Sequence, residues 1–243
     1  MKFRILTLFP EAIKPYTDSS ILGRAQKDGH IDIEYLNIRN YSADKHKKVD
    51  DTPYGGGFGM VMTPQPFLDC HEAAKKNLTG KTLTVYMSPA GDRFNHSMAL
   101  ELKDYDNLII MCGHYEGIDQ RIIDSVVDKE ISIGDYVLTG GELACVVVVD
   151  AVTRLIDGVL PDNECYNNES IASGLLEYPQ YTKPATYKGM NVPEVLTGGN
   201  HKAITEWQRK KSLKKTLENR PDLLKSAELT KEDILYLETL NLK

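Results

Sequence analysis

Cysteine is scarce in this chain. Four occur, at positions 70, 112, 145 and 165, and none forms a Cys-x-x-Cys pair. That argues for reduced thiols in a cytoplasmic protein and against a structural zinc or a disulfide framework. The six histidines show no ligand spacing, so no metal-ligating set is expected. No apolar run approaches the length of a membrane span. The opening Met-Lys-Phe-Arg-Ile-Leu-Thr-Leu-Phe-Pro is too short for a signal-peptide core and runs straight into Glu11, so it reads as a first strand. The glycine-rich stretch Pro53–Gly59 lacks the Lys-Ser/Thr of a P-loop and the Gly-x-Gly-x-x-Gly order of a dinucleotide fold. A flexible loop or close backbone packing is its ordinary reading, and contact with a large substrate the sharper one.

Net charge is −6, which on its own argues mildly against nucleic acid, but it is unevenly spread. From Lys183 onward twelve Lys and Arg face eight Asp and Glu, whereas elsewhere 17 basic residues face 27 acidic ones. The basic excess gathers in Arg209, Lys210, Lys211, Lys214 and Lys215. Such asymmetry marks either a polyanion-binding module or a solvated helix face.

The first half alternates strand-like and helix-like segments. Strands are expected at 3–9, 31–38, 83–87, 107–112 and 130–133. Helices are expected at 19–27, 64–76, 95–102 and 118–125, the first with Ser19 or Ser20 as N-cap and Gly29 past its end. This rhythm implies a mostly parallel sheet covered by helices on both faces. Residues 142–156 carry a valine run that favours a strand. Their length and the capping-box pattern Thr139-Gly-Gly-Glu142 favour a helix, with Asp150 and Arg154 on one face. Residues 157–173 are polar and Asn-rich and read as a linker. Beyond them a basic helix over 200–219, capped by Asn200, and a second helix ending near Leu240 make a small domain. The expected division is 1–160, linker 161–173, and 174–243.

The most informative feature is a pair of glycine-punctuated loops, each directly after a strand: Gly-His-Tyr-Glu-Gly at 113–117 and Ser-Ile-Gly-Asp-Tyr-Val-Leu-Thr-Gly-Gly at 132–141. Glycines at strand ends admit a ligand to backbone N–H and C=O groups. Two such loops can converge on one small molecule, although turn chemistry alone would produce the same spacing. Taken without further context, Glu164 and Glu169 are simply solvated linker carboxylates.

Taken together, Leu-Phe-Pro (8–10), Asp-Asp-x-Pro-Tyr-Gly-Gly-Gly-x-Gly-Met (50–60), Gly-His-Tyr-Glu-Gly-Ile-Asp-x-Arg (113–121), Ile-Ser-Ile-Gly-Asp-Tyr-Val-Leu-Thr-Gly-Gly-Glu (131–142), Gly-Leu-Leu-Glu-x-Pro-x-Tyr-Thr-Lys-Pro (174–184) and Gly-Asn-His (199–201) resemble the bacterial tRNA (guanine-N1)-methyltransferases, along the full chain. The resemblance implies an α/β fold with a trefoil-knotted, mostly parallel sheet and a small helical C-terminal domain that binds tRNA. It implies a cytoplasmic homodimer with active sites between subunits, S-adenosylmethionine as methyl donor, and methylation of guanine 37, 3′ to the anticodon. Mg2+ dependence is a family expectation that no residue spacing locates.

Carried over by position, the cofactor contacts are Tyr86, Met87, Ser88 and Pro89; Gly113, Tyr115, Glu116 and Gly117; and Ile133, Gly134, Asp135, Tyr136, Val137, Leu138, Gly140 and Gly141. Arg154 matches the arginine that stabilises guanine O6. The family's Asp-Ser-Phe before Gly-Leu-Leu is here Glu169-Ser170-Ile171, so Glu169 is the expected general base, one methylene longer than the family's aspartate. Gln180 replaces the commoner histidine at a position without an expected catalytic role. His46, Asp50, Gly59 and Ser170 are expected to contact the RNA substrate, with Lys183, Lys188 and Lys202 assisting the basic helix. The competing readings are a knotted ribose 2′-hydroxyl methyltransferase and a tRNA-binding module that has lost catalysis. The linker carboxylate and the match over 174–184 argue against the first, and the intact glycine loops against the second.

Overall fold

The apolar runs become a five-stranded sheet. In the computed structural model, which describes residues 1–161 and 170–241, the strands are β1 (Lys2–Thr7), β2 (Asp32–Asn37), the two-residue β3 (Asp50–Asp51) and β4 (Val61–Met62), then β5 (Thr82–Arg93), β6 (Asn107–Cys112) and β7 (Lys129–Ser132). The sheet order is β2-β1-β6-β5-β7, with every pair parallel; β3 and β4 form a separate antiparallel ladder. β6 is buried at all six positions, as a central parallel strand covered on both sides must be.

Helices α1 (Pro10–Thr17), α2 (Ser20–Lys27), α3 (Pro64–Lys75), α4 (His96–Lys103), α5 (Gln120–Val126) and α6 (Glu142–Thr153) cover it. Ile109 and Met111 of β6 pack with Phe67 of α3 and Ile122 of α5. Their neighbours Leu108 and Ile110, fully buried as well, point to the opposite face. There α6 packs on β1 and β6 and against α1, α2 and α4. The parallel sheet therefore holds two layers of helix apart, with all its C-terminal strand ends along one edge.

The structure departs from the expected elements in informative places. Helix α1 was not expected; it has Pro10 in its first turn, Pro15 inside, and only Ile13 and Thr17 buried, too little for a visible stripe. Strand β5 runs to Arg93, and its ladder with β7 jumps from Met87 to Asp92, both paired with Ile131. The intervening residues 88–91 bulge outward. The Thr139–Glu142 capping box does not form. Gly141 is the N-cap, and Glu142 Oε1 instead accepts the Thr7 hydroxyl at 2.7 Å, a tertiary bond that overrides the local one. Ser19 occupies the N-cap of α2, but its hydroxyl donates to the Tyr16 carbonyl at 2.7 Å. Asp150 accepts the Tyr16 phenol at 2.7 Å. Cys70, Cys112 and Cys145 are free and buried, and burial pushes the Cys70 thiol up to about 12, which makes it inert. Cys165 lies outside the described residues.

His71 of α3 is buried, with Nε2 at 3.0 Å from Thr84 Oγ1 and Nδ1 without a partner. Burial, assisted by the positive charge of Lys75, holds the imidazole below its ordinary 6.5, against the weaker pull of Glu72 and Asp128. A depressed histidine favours the folded state fully above 6.5 and loses that contribution as pH falls through the folded value. Urea unfolding is therefore expected to show lower stability at acid pH than at neutral pH, with a smaller difference in His71→Gln.

The chain divides into two compact units, Met1–Asp162 and Asn163–Lys243. The second contains β8 (Thr186–Tyr187), β9 (Met190–Asn191), α7 (Glu194–Thr197), α8 (His201–Asn219) and α9 (Lys231–Asn241). Asn200 caps α8 as expected, its side chain accepting from the Ala203 N–H at 3.2 Å. Leu175, Leu213 and Leu237 form its core. Arg209 joins α8 to α9 through Asp233, with Nη2 to Oδ2 at 2.8 Å and Nε to Oδ1 at 3.2 Å, and also donates to the Glu228 carbonyl. Its guanidinium holds the Asp233 carboxyl below the usual range. Arg209 thus pins two helices together. Among the described residues no helix is long and apolar enough to cross a membrane.

Candidate active site

Three segments of neighbouring strands meet over one cavity. β5 contributes its bulge at 88–91, and the chain departs β6 through 113–119 and β7 through 133–141. β5 lies between β6 and β7, so the last segment must cross the end of β5 to reach β6. It does so: His114 and Gly140 form an antiparallel bridge, and the Gly141 N–H donates to the Gly113 carbonyl at 2.9 Å. The space between them is an open-mouthed cavity of about 200 Å³. Ligands of open α/β sheets sit at such strand ends.

Every expected cofactor contact except Asp135 lines this cavity: Tyr86 to Pro89, Gly113, Tyr115 to Gly117, Ile133, Gly134, Tyr136 to Leu138, Gly140 and Gly141. Asp135 instead pairs with Arg93 outside it. His114, Ile131, Ser132, Thr139 and Ala144 also line the space and were not foreseen. His114 lies inside the expected motif, and its neighbours were the available signal. Its ring packs against Phe9 and Tyr115, with centroids 5.0 and 4.9 Å away, and its Nδ1 is buried without a partner. Burial pushes the Tyr86 phenol up to about 12, so this residue stays neutral in the cavity floor.

The Pro53–Gly59 loop is tied to the same wall. Glu116 N–H donates to the Met60 carbonyl at 3.1 Å, Met62 N–H to Gly117 at 3.0 Å, and Asp119 N–H to Met62 at 3.0 Å. Gly59 has φ +84°, and a Cβ there would stand 2.5 Å from Glu116 Oε1. Only glycine allows the loop to lie so close to that carboxylate. Asp50 pairs with Met62 in the β3–β4 ladder, so it joins this wall too. His46 sits in an exposed turn, its N–H donating to Asp44 Oδ1 at 2.7 Å. Ser170 belongs to the second unit and accepts the Glu177 N–H at 2.9 Å. Glu169 lies outside the described residues.

Arg154, half-buried, is the C-cap of α6, whereas Gly141 and Ala144 at the other end touch the cavity. At 1.5 Å per residue, Arg154 stands about 20 Å along the helix from Gly141. No group of three or more His, Cys, Asp or Glu among the described residues can hold a metal ion, so Mg2+ has no assigned site.

The sequence model of the family described as tRNA (Guanine-1)-methyltransferase TrmD matches residues 1–226. The chain belongs to this family. Curated proteins named tRNA (guanine-N(1)-)-methyltransferase are similar to it over its length. That of Alkaliphilus metalliredigens is 54% identical over 245 residues, covering 100% of this chain and 99% of the relative. The Alkaliphilus oremlandii protein is 52% identical over 248 residues and 100% of both chains. The Clostridium perfringens SM101 protein is 52% identical over 239 residues, 98% of this chain and 100% of the relative. Within the TrmD family, then, the chain carries both the glycine loops and a cavity built from them.

Proposed function

We propose that this protein transfers a methyl group from S-adenosylmethionine to N1 of guanine 37 in tRNA. It acts as a homodimer with its active sites between subunits and the threaded, knotted sheet of its family. The observation that carries the reading is the cavity at the ends of β5, β6 and β7, together with family membership.

The cavity residues suit that cofactor. Main-chain groups of the three loops offer hydrogen bonds to an adenine and a ribose, and Ile131, Val137 and Leu138 offer apolar contact. The Glu116 carboxylate favours a cationic sulfonium or ammonium. His114 Nδ1 supplies a buried polar atom that still needs a partner. The bound cofactor supplies an electrophilic methyl group.

This chain's residues must then manage one proton and one developing charge. Guanine N1 carries a hydrogen and is a poor nucleophile. Glu169 accepts that proton as the N1–carbon bond forms and the sulfur–carbon bond breaks, its electron pair remaining on sulfur. Arg154 offsets the negative charge that gathers on O6. An arginine about 20 Å along α6 cannot reach the cavity of its own chain. The proposal therefore has a second copy supplying it. Leu143 (63% exposed) and Val147 (44% exposed) lie on the same stripe of α6 as Arg154, an apolar face suited to a second subunit.

Lys210, Lys211, Lys214 and Lys215 are the candidate phosphate contacts of α8, with the partly exposed Arg209 beside them. The target guanine is extracted from the anticodon loop to reach the cleft. Labelled S-adenosylmethionine mixed with purified protein and unmodified tRNA bearing guanine 3′ to the anticodon is expected to yield 1-methylguanine in the digested RNA. Label on ribose, or none in the RNA, would overturn the proposal.

A further inference from the structure

Residues 181–191 are exposed without exception, yet they include a paired hairpin. Within them β8 and β9 pair antiparallel, Thr186 with Asn191 and Tyr187 with Met190. The two-residue turn has φ 50° at Lys188 and 79° at Gly189, the left-handed pair of a tight hairpin. Thr186 Oγ1 donates to Asn191 Oδ1 at 2.7 Å, and the Val192 N–H donates to the Ala185 carbonyl at 2.9 Å, which closes the arm at its base. A two-stranded hairpin whose residues are all exposed buries little of its own surface. Here it holds Tyr187 (57% exposed) and Met190 (64% exposed) side by side, since paired residues share a face. Lys188, a side chain that pays strain for its left-handed backbone, stands at the tip with Nζ 5.5 Å from the Tyr187 ring centre.

Within the arm itself the charge has one sign. From Tyr178 to Pro193 there is no Asp or Glu, in a chain whose net charge is −6. Lys183 and Lys188 are the charged residues of that stretch. An exposed aromatic–thioether face flanked by lysines and free of carboxylates fits RNA: a base stacks on the ring, and phosphate meets the ammonium.

We propose that this hairpin is an RNA-contacting arm in its own right, with Tyr187 as the stacking residue beside Lys188, the phosphate contact already expected from the family resemblance. The inference rests on tRNA being the substrate, and names a contact surface separate from α8. It is tested on the full-length protein by tRNA binding over a salt series, with cofactor affinity and sedimentation measured alongside. Tyr187→Ala is expected to weaken tRNA binding about tenfold, and Tyr187→Phe, which keeps the ring, to restore it. Lys188→Ala is expected to weaken binding and reduce the slope of log Kd against log salt by about 0.7–0.9. S-adenosylmethionine affinity and melting temperature stay as in the parent. Tyr187→Ala binding tRNA like the parent would overturn the arm. So would a Tyr187→Ala protein that loses self-association while holding tRNA normally, since the arm would then face a second copy. Parent protein that fails to bind tRNA sinks the functional reading itself, and the arm with it.

Discussion

Glu169→Gln is expected to slow methyl transfer by about 10²–10⁴-fold while leaving S-adenosylmethionine affinity unchanged, because an amide of the same size cannot take the N1 proton. Single-turnover rates with saturating tRNA measure the first, calorimetry the second. Glu169→Asp provides the complementary test. It restores the family's shorter carboxylate and is expected to keep or raise the rate, since catalytic geometry responds to displacements of about 1 Å. Near-normal turnover by Glu169→Gln would move the base to Glu164 or Glu177. The residue lies outside the described part of the chain, so the assignment stands on position and on the chemistry guanine demands.

Gly91→Ala is expected to damage the cavity from behind, by pushing on the backbone of the strand that carries Ile131 and Ser132 of its lining. A methyl group there would lie 2.3 Å from the Glu130 carbonyl carbon and 2.4 Å from the Ile131 nitrogen. Both are backbone atoms of β7, so no side chain can swing aside. The strand itself must retreat, taking Ser132 and Ile133 with it, at the cost of about 1–3 kcal/mol typical of overpacking. The melting temperature should fall by several degrees, and cofactor Kd should rise about tenfold for each 1.4 kcal/mol lost at the site. Gly198→Ala is the control, because its added methyl meets nothing closer than 3.5 Å. Parent-like melting and cofactor binding in Gly91→Ala would show that β7 does not set the cavity.

The sequence revealed the strands because a parallel sheet buried on both faces demands continuous apolar runs, and the 107–112 run is of that kind. The two glycine loops were legible for a related reason: glycine at a strand end is a local requirement visible in one dimension. What stayed hidden depends on distant partners. Glu142 looked like a capping residue until Thr7, far away in sequence, took its carboxylate. Arg209 looked like one more basic residue of a polyanion-binding helix until Asp233 claimed it. The strand at 83–87 was expected to end before the bulge at 88–91, since its continuation depends on the pairing of Asp92 with Ile131. Helix α1, eight residues long with an internal proline, has no period to detect. The convergence of 88–89, 113–117 and 133–141 likewise follows from strand order, which no spacing encodes.

That strand order has a mechanical consequence. A guest touching the ends of β5, β6 and β7 works as a clasp: peeling away any one strand requires letting go of it. Ligand occupancy should therefore report on the integrity of three of the sheet's five strands, through mass action on the closed form. Hydrogen exchange at Val85, Ile110 and Ile131 should slow together when the cavity fills, as one cooperative block and not as three separate loops.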